Sequence, residues 1–129
     1  MTSPEHPTIA IIVHGGAGNI PEAYHAPAEA GCRAAANIGW QVLEQGGSAL
    51  DAVEAAVQAL ENNPTFNAGH GSVLNRAGRV EMDAGIMDGT TKSVGAVTLI
   101  EHFSHPISIA RKVMEKTQHH ILGAAGAEA

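Results

Sequence analysis

The chain predicts an α+β fold on three observations. Its segments run in the order strand, two helices, strands, helix, a layering in which helices and strands are grouped and do not alternate regularly. Val80, Met82, Ala84 and Ile86 alternate with Glu81, Asp83 and Gly85, the period-two signature of a strand covered on one face. Hydrophobic residues make up 44% of the chain and aromatics only 3%. The core is therefore built from Ala, Val, Ile and Leu, side chains that favour close helix packing and buried strands. At 129 residues the chain makes one domain or part of a larger one.

The elements follow in order. Met1 to Pro7 carries two prolines and reads as a loose leader. Thr8 to Val13 is short, β-branched and almost wholly apolar, which predicts a strand buried on both faces. His14-Gly15-Gly16-Ala17-Gly18-Asn19 is a glycine-rich turn directly after it. It lacks the third glycine of a dinucleotide-binding turn and the Gly-Lys-Ser/Thr of a phosphate loop. It is either a plain turn or a loop whose backbone must come close to something. Ala28 to Gln45 is alanine-rich, with Cys32, Ala36, Trp40 (or Gly39) and Leu43 on one helical face. Gly46-Gly47 ends it. Ser48 and Asp51 have the spacing of a capping pair, and Ala49, Val53, Ala56, Val57 and Leu60 form a second stripe. So short a turn sets the two helices antiparallel, both covering a sheet.

Leu60 to Gly71, LENNPTFNAGHG, is the stretch around which the rest is arranged. A proline biases its predecessor away from helix, so the second helix is expected to stop at about Asn62. Phe66 is one of two phenylalanines in the chain, and a lone aromatic in a polar glycine loop usually anchors that loop to a core. The loop is either a tight helix-to-strand connection or a scaffold for functional groups. Beyond it, Ser72 to Leu74, Val80 to Ile86 and Val94 to Ile100 read as three strands of an antiparallel meander, the last of them central. Pro106 can open a helix striped by Ile107, Ala110, Val113 and Met114, and His120 to Leu122 reads as a short strand.

A formal charge of −6 argues against a nucleic-acid partner, which calls for clustered Lys and Arg. The single Cys32 excludes an intrachain disulfide and a cysteine-based zinc cage. MTSPEHPT has neither the basic region nor the apolar core of a signal peptide, and no apolar run reaches membrane-spanning length. A soluble cytoplasmic protein without a membrane partner is expected. Eight histidines are present. His102 with His105, and His119 with His120, fit neither a His-Glu-x-x-His helix nor a zinc finger, and read as ordinary surface or edge residues. Glu81 and Asp83 share a strand face. Paired carboxylates can do glycoside chemistry, but solvated carboxylates are the commoner outcome on a wet face.

Several of these segments carry a resemblance. His14-Gly15-Gly16-Ala17-Gly18, Pro64-x-Phe66-Asn67-Ala68-Gly69-x-Gly71, Met82-Asp83-Ala84-x-x-Met87-Asp88-Gly89, Val94-Gly95-Ala96-Val97, Pro106 to Thr117 and Gly126-Ala127-Glu128 stand in one order. Together, from about Ile9 to Glu128, they resemble the α-subunit of plant-type L-asparaginases, or isoaspartyl peptidases, of the N-terminal nucleophile hydrolases. The resemblance implies a four-layer αββα sandwich of which residues 1–129 are the α part. It also implies a precursor that cuts itself before a threonine, which then opens a β-subunit and serves as nucleophile. The αβ unit would be doubled to (αβ)₂. The resemblance implies hydrolysis of L-asparagine or β-aspartyl dipeptides, with glycosylasparaginase chemistry as the nearest alternative and a non-catalytic ligand or assembly module as another.

A threonine hydroxyl is a weak nucleophile until a base takes its proton, and its own freed α-amine can be that base. Thr2 lies in the proline-flanked leader, and Gly89-Thr90 reads as a turn feeding a strand. The nucleophile is therefore expected outside these residues, which are either a trimmed α-subunit or an α-fragment beside a separate β-chain. By the resemblance, Asn67 lies near the nucleophile and helps orient it; a loop-closing hydrogen bond is the alternative reading. His14, Gly15 and Gly16 would form the loop beside the active site. Main-chain carbonyls of Leu60, Glu61, Asn63, Phe66, Ala68 and His70 would bind a structural sodium ion, with no organic cofactor.

Overall fold

A computed structural model describes residues 8–129; the leader expected over residues 1–7 lies outside them. Helix α1 (His25–Glu44) follows a 3-10 turn at Glu22–Tyr24. It starts earlier than Ala28 because Pro27, in its first turn, occupies a position where no intrahelical N–H is needed. Its buried residues are Ala35 and Gly39, so the packing row runs through Gly39 while Trp40 stays partly exposed. Gly46, at φ +82°, turns the chain, and Gly47 N–H returns to Val42 O at 2.8 Å. Helix α2 (Ala49–Glu61) opens on the expected capping box: Asp51 N–H donates to Ser48 Oγ at 3.1 Å and Ser48 N–H to Asp51 Oδ2 at 3.3 Å. Asn62 caps its other end. The two helices pack side by side through small residues. A Cβ on Gly39 would lie 2.9 Å from Ala52 O and would run into Ile11 Cδ1.

The sheet has three strands in the order β1 (Met82–Met87), β2 (Val94–Ile100), β3 (Ile121–Gly123). The first two pair antiparallel, with Ala84 opposite Val97 and Ile86 opposite Gly95. Strand β3 pairs parallel to β2. Helix α3 (Pro106–Lys116) begins with proline where expected and lies across one face. There Met82, Ile86, Val97, Ile100, Ile107, Ala110 and Val113 form the core, joined at its edge by Leu50 and Val57 of α2. At Gly95 an added Cβ would sit 2.5 Å from Met114 N, so only glycine lets α3 approach β2 this closely. A short helix α4 (Ala125–Glu128) closes the described chain. Among the described residues no helix is long and apolar enough to cross a membrane.

Four expectations change. Thr8 to Val13 is extended but pairs with no strand among the described residues, and Ile12 is 94% exposed. Its inner side rests on α1, as the Ile11–Gly39 contact shows, and its other side is bare. Ser72 to Leu74 forms no strand, and Val73 and Leu74 are exposed; the third strand of the sheet is β3, added on the far side of β2, so the antiparallel meander reduces to a hairpin plus a parallel strand. Strand β2 is central but is covered on one face only, with Val94 and Leu99 exposed. Helix α1 covers the extended segment and α2, and α2 alone reaches the sheet core.

Asp83, on the open face of β1, accepts from Thr98 Oγ1 at 2.6 Å and from Leu99 N–H at 2.9 Å. This pins β2 where the register shifts between Met82 and Ala84 and where Leu99 takes φ +54°. The Thr98 hydroxyl first, then the Leu99 N–H, hold its carboxyl below the usual aspartate value against the opposing effect of burial. A depressed folded-state value contributes stability above the unfolded value of about 4, and that stability is lost as pH falls through the folded value. Asp83→Asn is therefore expected to be less stable than the parent at neutral pH and to show a shallower loss of stability below pH about 4. Urea midpoints recorded across the acid range would show it, and parallel curves for the two proteins would refute it.

Candidate functional site

The loop that leaves α2 and the glycine turn near the start of the described chain face each other across a cleft of about 560 Å³. One wall is His14 to Gly18 with Ile20; the other is Leu60 with Thr65 to Ala68. His14, Gly15, Gly16 and Asn67, far apart in sequence, thus meet in one place. The joint between the walls is Phe66, 5% exposed. A Cβ on Gly15 would lie 2.8 Å from its Cε1, and one on Gly31 would lie 2.6 Å from its Cε2. The ring fills a slot between the glycine turn and α1, beside Cys32. Side chains at positions 15 or 31 would push it out.

Backbone hydrogen bonds shape the second wall. Asn63 N–H donates to Leu60 O (3.1 Å), Phe66 N–H to Asn63 O (3.1 Å), and Gly71 N–H to Ala68 O (3.0 Å). Asn63 Oδ1 accepts from Thr65 N–H at 3.0 Å, a local side-chain bond of the kind that favours Asn in turns. Gly69 sits at φ +50°, and a Cβ there would lie 2.5 Å from Glu61 O; one on Gly71 would lie 2.8 Å from Pro64 O and against Phe66 O. The two glycines let the end of the loop fold back onto the carbonyls at its start. Leu60, Asn63 and Ala68 O each accept one hydrogen bond, and a carbonyl has a second lone pair. These oxygens are what the site offers a hard cation.

Asn67 Oδ1 accepts from Val73 N–H at 3.0 Å, which closes the loop. Both readings of this residue are compatible with that bond, since the amide keeps its two N–H donors on an exposed side chain lining the cleft. On the far side of the loop, Asn67, Ala68 and Gly69 also border a second cleft of about 240 Å³ shared with Glu61, Glu81 and Asp83.

The sequence reading missed the Glu61 side chain, having used only its carbonyl. It is 3% exposed, with Oε1 accepting from Ile107 N–H at 3.0 Å and Oε2 3.1 Å from His105 Nδ1. Burial raises its pKa, with Ile107 N–H and then His105 opposing. The available signal was position: Glu61 lies four residues after Val57, which packs on the sheet core, and that spacing puts a carboxylate on the core side of α2. Farther along the same seam Glu54 accepts from Ser108 Oγ (2.6 Å) and pairs with Arg111 (2.6 Å), and Asp51 pairs with Arg111 (2.8 Å). His105 is thus a structural partner, which its spacing from His102 did not reveal. Among the described residues, no group of three or more His, Cys, Asp or Glu could hold a metal ion. Glu81 bonds Asn75 and Arg79 and Asp83 bonds β2, so each carboxylate is committed to its own partners.

The sequence profile of the asparaginase family matches residues 7–129. The chain belongs to the asparaginase family. Among its relatives, the plant-type L-asparaginase of Thermococcus kodakarensis is 58% identical over 119 residues, which are 92% of this chain and 39% of that protein. The isoaspartyl peptidase/L-asparaginase of Xenopus laevis is 56% identical over 117 residues, 91% of this chain and 38% of the relative. That of Danio rerio is 51% identical over the same shares. The chain spans under two-fifths of the length of these asparaginase-family proteins.

Proposed function

We propose that this chain is the α part of an amidohydrolase that cleaves L-asparagine or β-aspartyl dipeptides, with the nucleophilic threonine supplied by a β-subunit. The observation that carries this reading is the single cleft into which the glycine turn and the Asn67 loop both open. The names of the relatives give the substrate class. The freed α-amine of the threonine would take the hydroxyl proton, and the hydroxyl oxygen would attack the amide carbon. The C–N bond would break as that proton passes to the leaving nitrogen (ammonia, or the second amino acid of a dipeptide), and water would hydrolyse the acyl-enzyme to aspartate. From this chain, the Asn67 amide would orient the nucleophile. Gly15 and Gly16 would admit the reacting end: Gly16, at φ +128°, has nothing within 4 Å of where a Cβ would be. Positioning by fixed neutral dipoles suits a reaction whose charge develops only in the transition state.

The carbonyls of Leu60, Glu61, Asn63, Phe66, Ala68 and His70 would hold a sodium ion that keeps the second wall in shape, supplying charge for structure and taking no part in bond making. Support comes from the fold-back at Gly69 and Gly71 onto the carbonyls of Glu61, Pro64 and Phe66, and from the all-oxygen donor set. The four-layer sandwich is proposed on the sheet's open face, where the pair Gly85 and Ala96 is bordered by exposed Met87, Val94 and Ile121. A second sheet would seat there, and an (αβ)₂ assembly follows the family pattern.

The test is the complete protein assayed on L-asparagine, β-aspartyl dipeptides and glycosylasparagine. Aspartate release from either of the first two is expected; turnover of the glycosylated compound alone would assign glycosylasparaginase chemistry. No turnover of any would leave a non-catalytic module. Asn67→Ala is expected to lower kcat about 100-fold with KM nearly unchanged, since a misplaced nucleophile costs rate and not ground-state binding. An unchanged kcat would reduce Asn67 to its loop-closing bond.

A further inference from the structure

The Glu61 carboxylate has no role in the reading above, yet it is a buried charged group at the root of the functional loop. It stands on the last residue of α2, where the loop begins, and it reaches an element more than forty positions away. Its Oε1 takes Ile107 N–H, an unsatisfied donor in the first turn of α3, at 3.0 Å, and its Oε2 lies 3.1 Å from His105 Nδ1. The first-turn N–H groups of a helix have no intrahelical acceptor, and a carboxylate is favoured there by the helix dipole. The same residue's carbonyl lies where a Cβ on Gly69 would touch it at 2.5 Å. One residue therefore fixes two things: its side chain ties the loop's start to the sheet-covering helix, and its main chain meets the loop's end.

We propose that Glu61 is a positioning residue for the loop's carbonyls: its carboxylate, bonded to α3, fixes the start of the loop whose main-chain oxygens would hold sodium. This rests on the sodium reading of the loop. A bond from side chain to helix terminus depends on reach as well as charge, and that separates positioning from simple electrostatic attraction of the cation. Glu61→Gln keeps the reach and one acceptor for Ile107 N–H while losing the charge. Glu61→Asp keeps the charge and is one methylene too short.

The experiment uses the complete protein and follows Tm against NaCl, with choline chloride holding ionic strength constant. The parent is expected to gain Tm saturably with sodium. Glu61→Gln should keep its half-saturating sodium concentration within about twofold, whereas Glu61→Asp should raise it about tenfold, the equivalent of one lost charge-assisted hydrogen bond. Glu54→Gln, on the same α2–α3 seam but two turns from the loop, should lower Tm and leave the sodium response alone. Glu61→Asp responding like the parent would overturn the proposal while the sodium reading stands. Glu61→Gln failing as badly as Glu61→Asp would assign the effect to charge and overturn it equally. A parent with no sodium response would refute the sodium reading and the proposal with it, whereas catalysis by that parent would leave the amidohydrolase assignment standing.

Discussion

Phe66→Ala is expected to destabilise the protein by about 3–5 kcal/mol, the range for deleting a buried aromatic ring from a site that cannot collapse. The site cannot collapse because two of its walls are glycine backbone. Gly15 and Gly31 have no side chains to swing into the space, and α1 is held by its packing on α2. The lost volume would therefore remain a cavity, and cavities cost more than the transfer of the missing atoms. The substitution should also uncouple the two walls of the cleft, since the ring is what the glycine turn and the Asn67 loop share. Denaturant midpoints and m-values for the parent and variant measure the first effect; raised proteolytic sensitivity at residues 14–18 and 64–70 would report the second. A change below about 1 kcal/mol would mean that the walls do close, and the description of Phe66 as the joint would be wrong.

Phe66 also shows what was legible in the sequence. A lone aromatic among glycines and polar residues announces an anchor, and the proline and glycines around it announce a loop. Helix α2 was nearly as plain, because its cap and stop are local signals and both are where the residues put them; its stripe is rotated, with Ala52 and Ala56 buried and Val53 exposed. The pairing of strands was not local. Ser72 to Leu74 has the composition of a strand, but pairing depends on what lies alongside: it would have had to join the outer edge of β1, whereas the sheet is extended on the far side of β2, by β3. Thr8 to Val13 fails for the same reason: an apolar run says that a segment wants covering and does not say by what. The Glu61 carboxylate went unread because its partners, His105 and Ile107 N–H, lie 44 and 46 positions away. Small apolar spacings identify a helix face; they do not identify the donor that a charged residue on that face will find.

Expression of residues 1–129 alone is expected to give a self-associating, catalytically silent protein. The reason is geometric. Strand β2 is covered by α3 on one face, while on the other Met87, Val94 and Ile121 stand exposed around the pair Gly85 and Ala96. The extended segment over residues 8–13 adds a second bare edge, with Ile12 almost wholly exposed. Unpaired backbone and a flat apolar face together form a template for other chains. A partner that lays a sheet on the open face and a strand along residues 8–13 would remove both liabilities, and on the proposed reading it would also bring the threonine to the cleft. Co-expression with such a β-chain should convert the material to a soluble assembly with one cooperative thermal transition and amidase activity. Sedimentation velocity, calorimetry and an aspartate-release assay on the two preparations make the comparison. A soluble monomer with a cooperative transition from residues 1–129 alone would show that the open face needs no cover. Amidase activity from that monomer would go further, since the nucleophile would then have to lie among these residues.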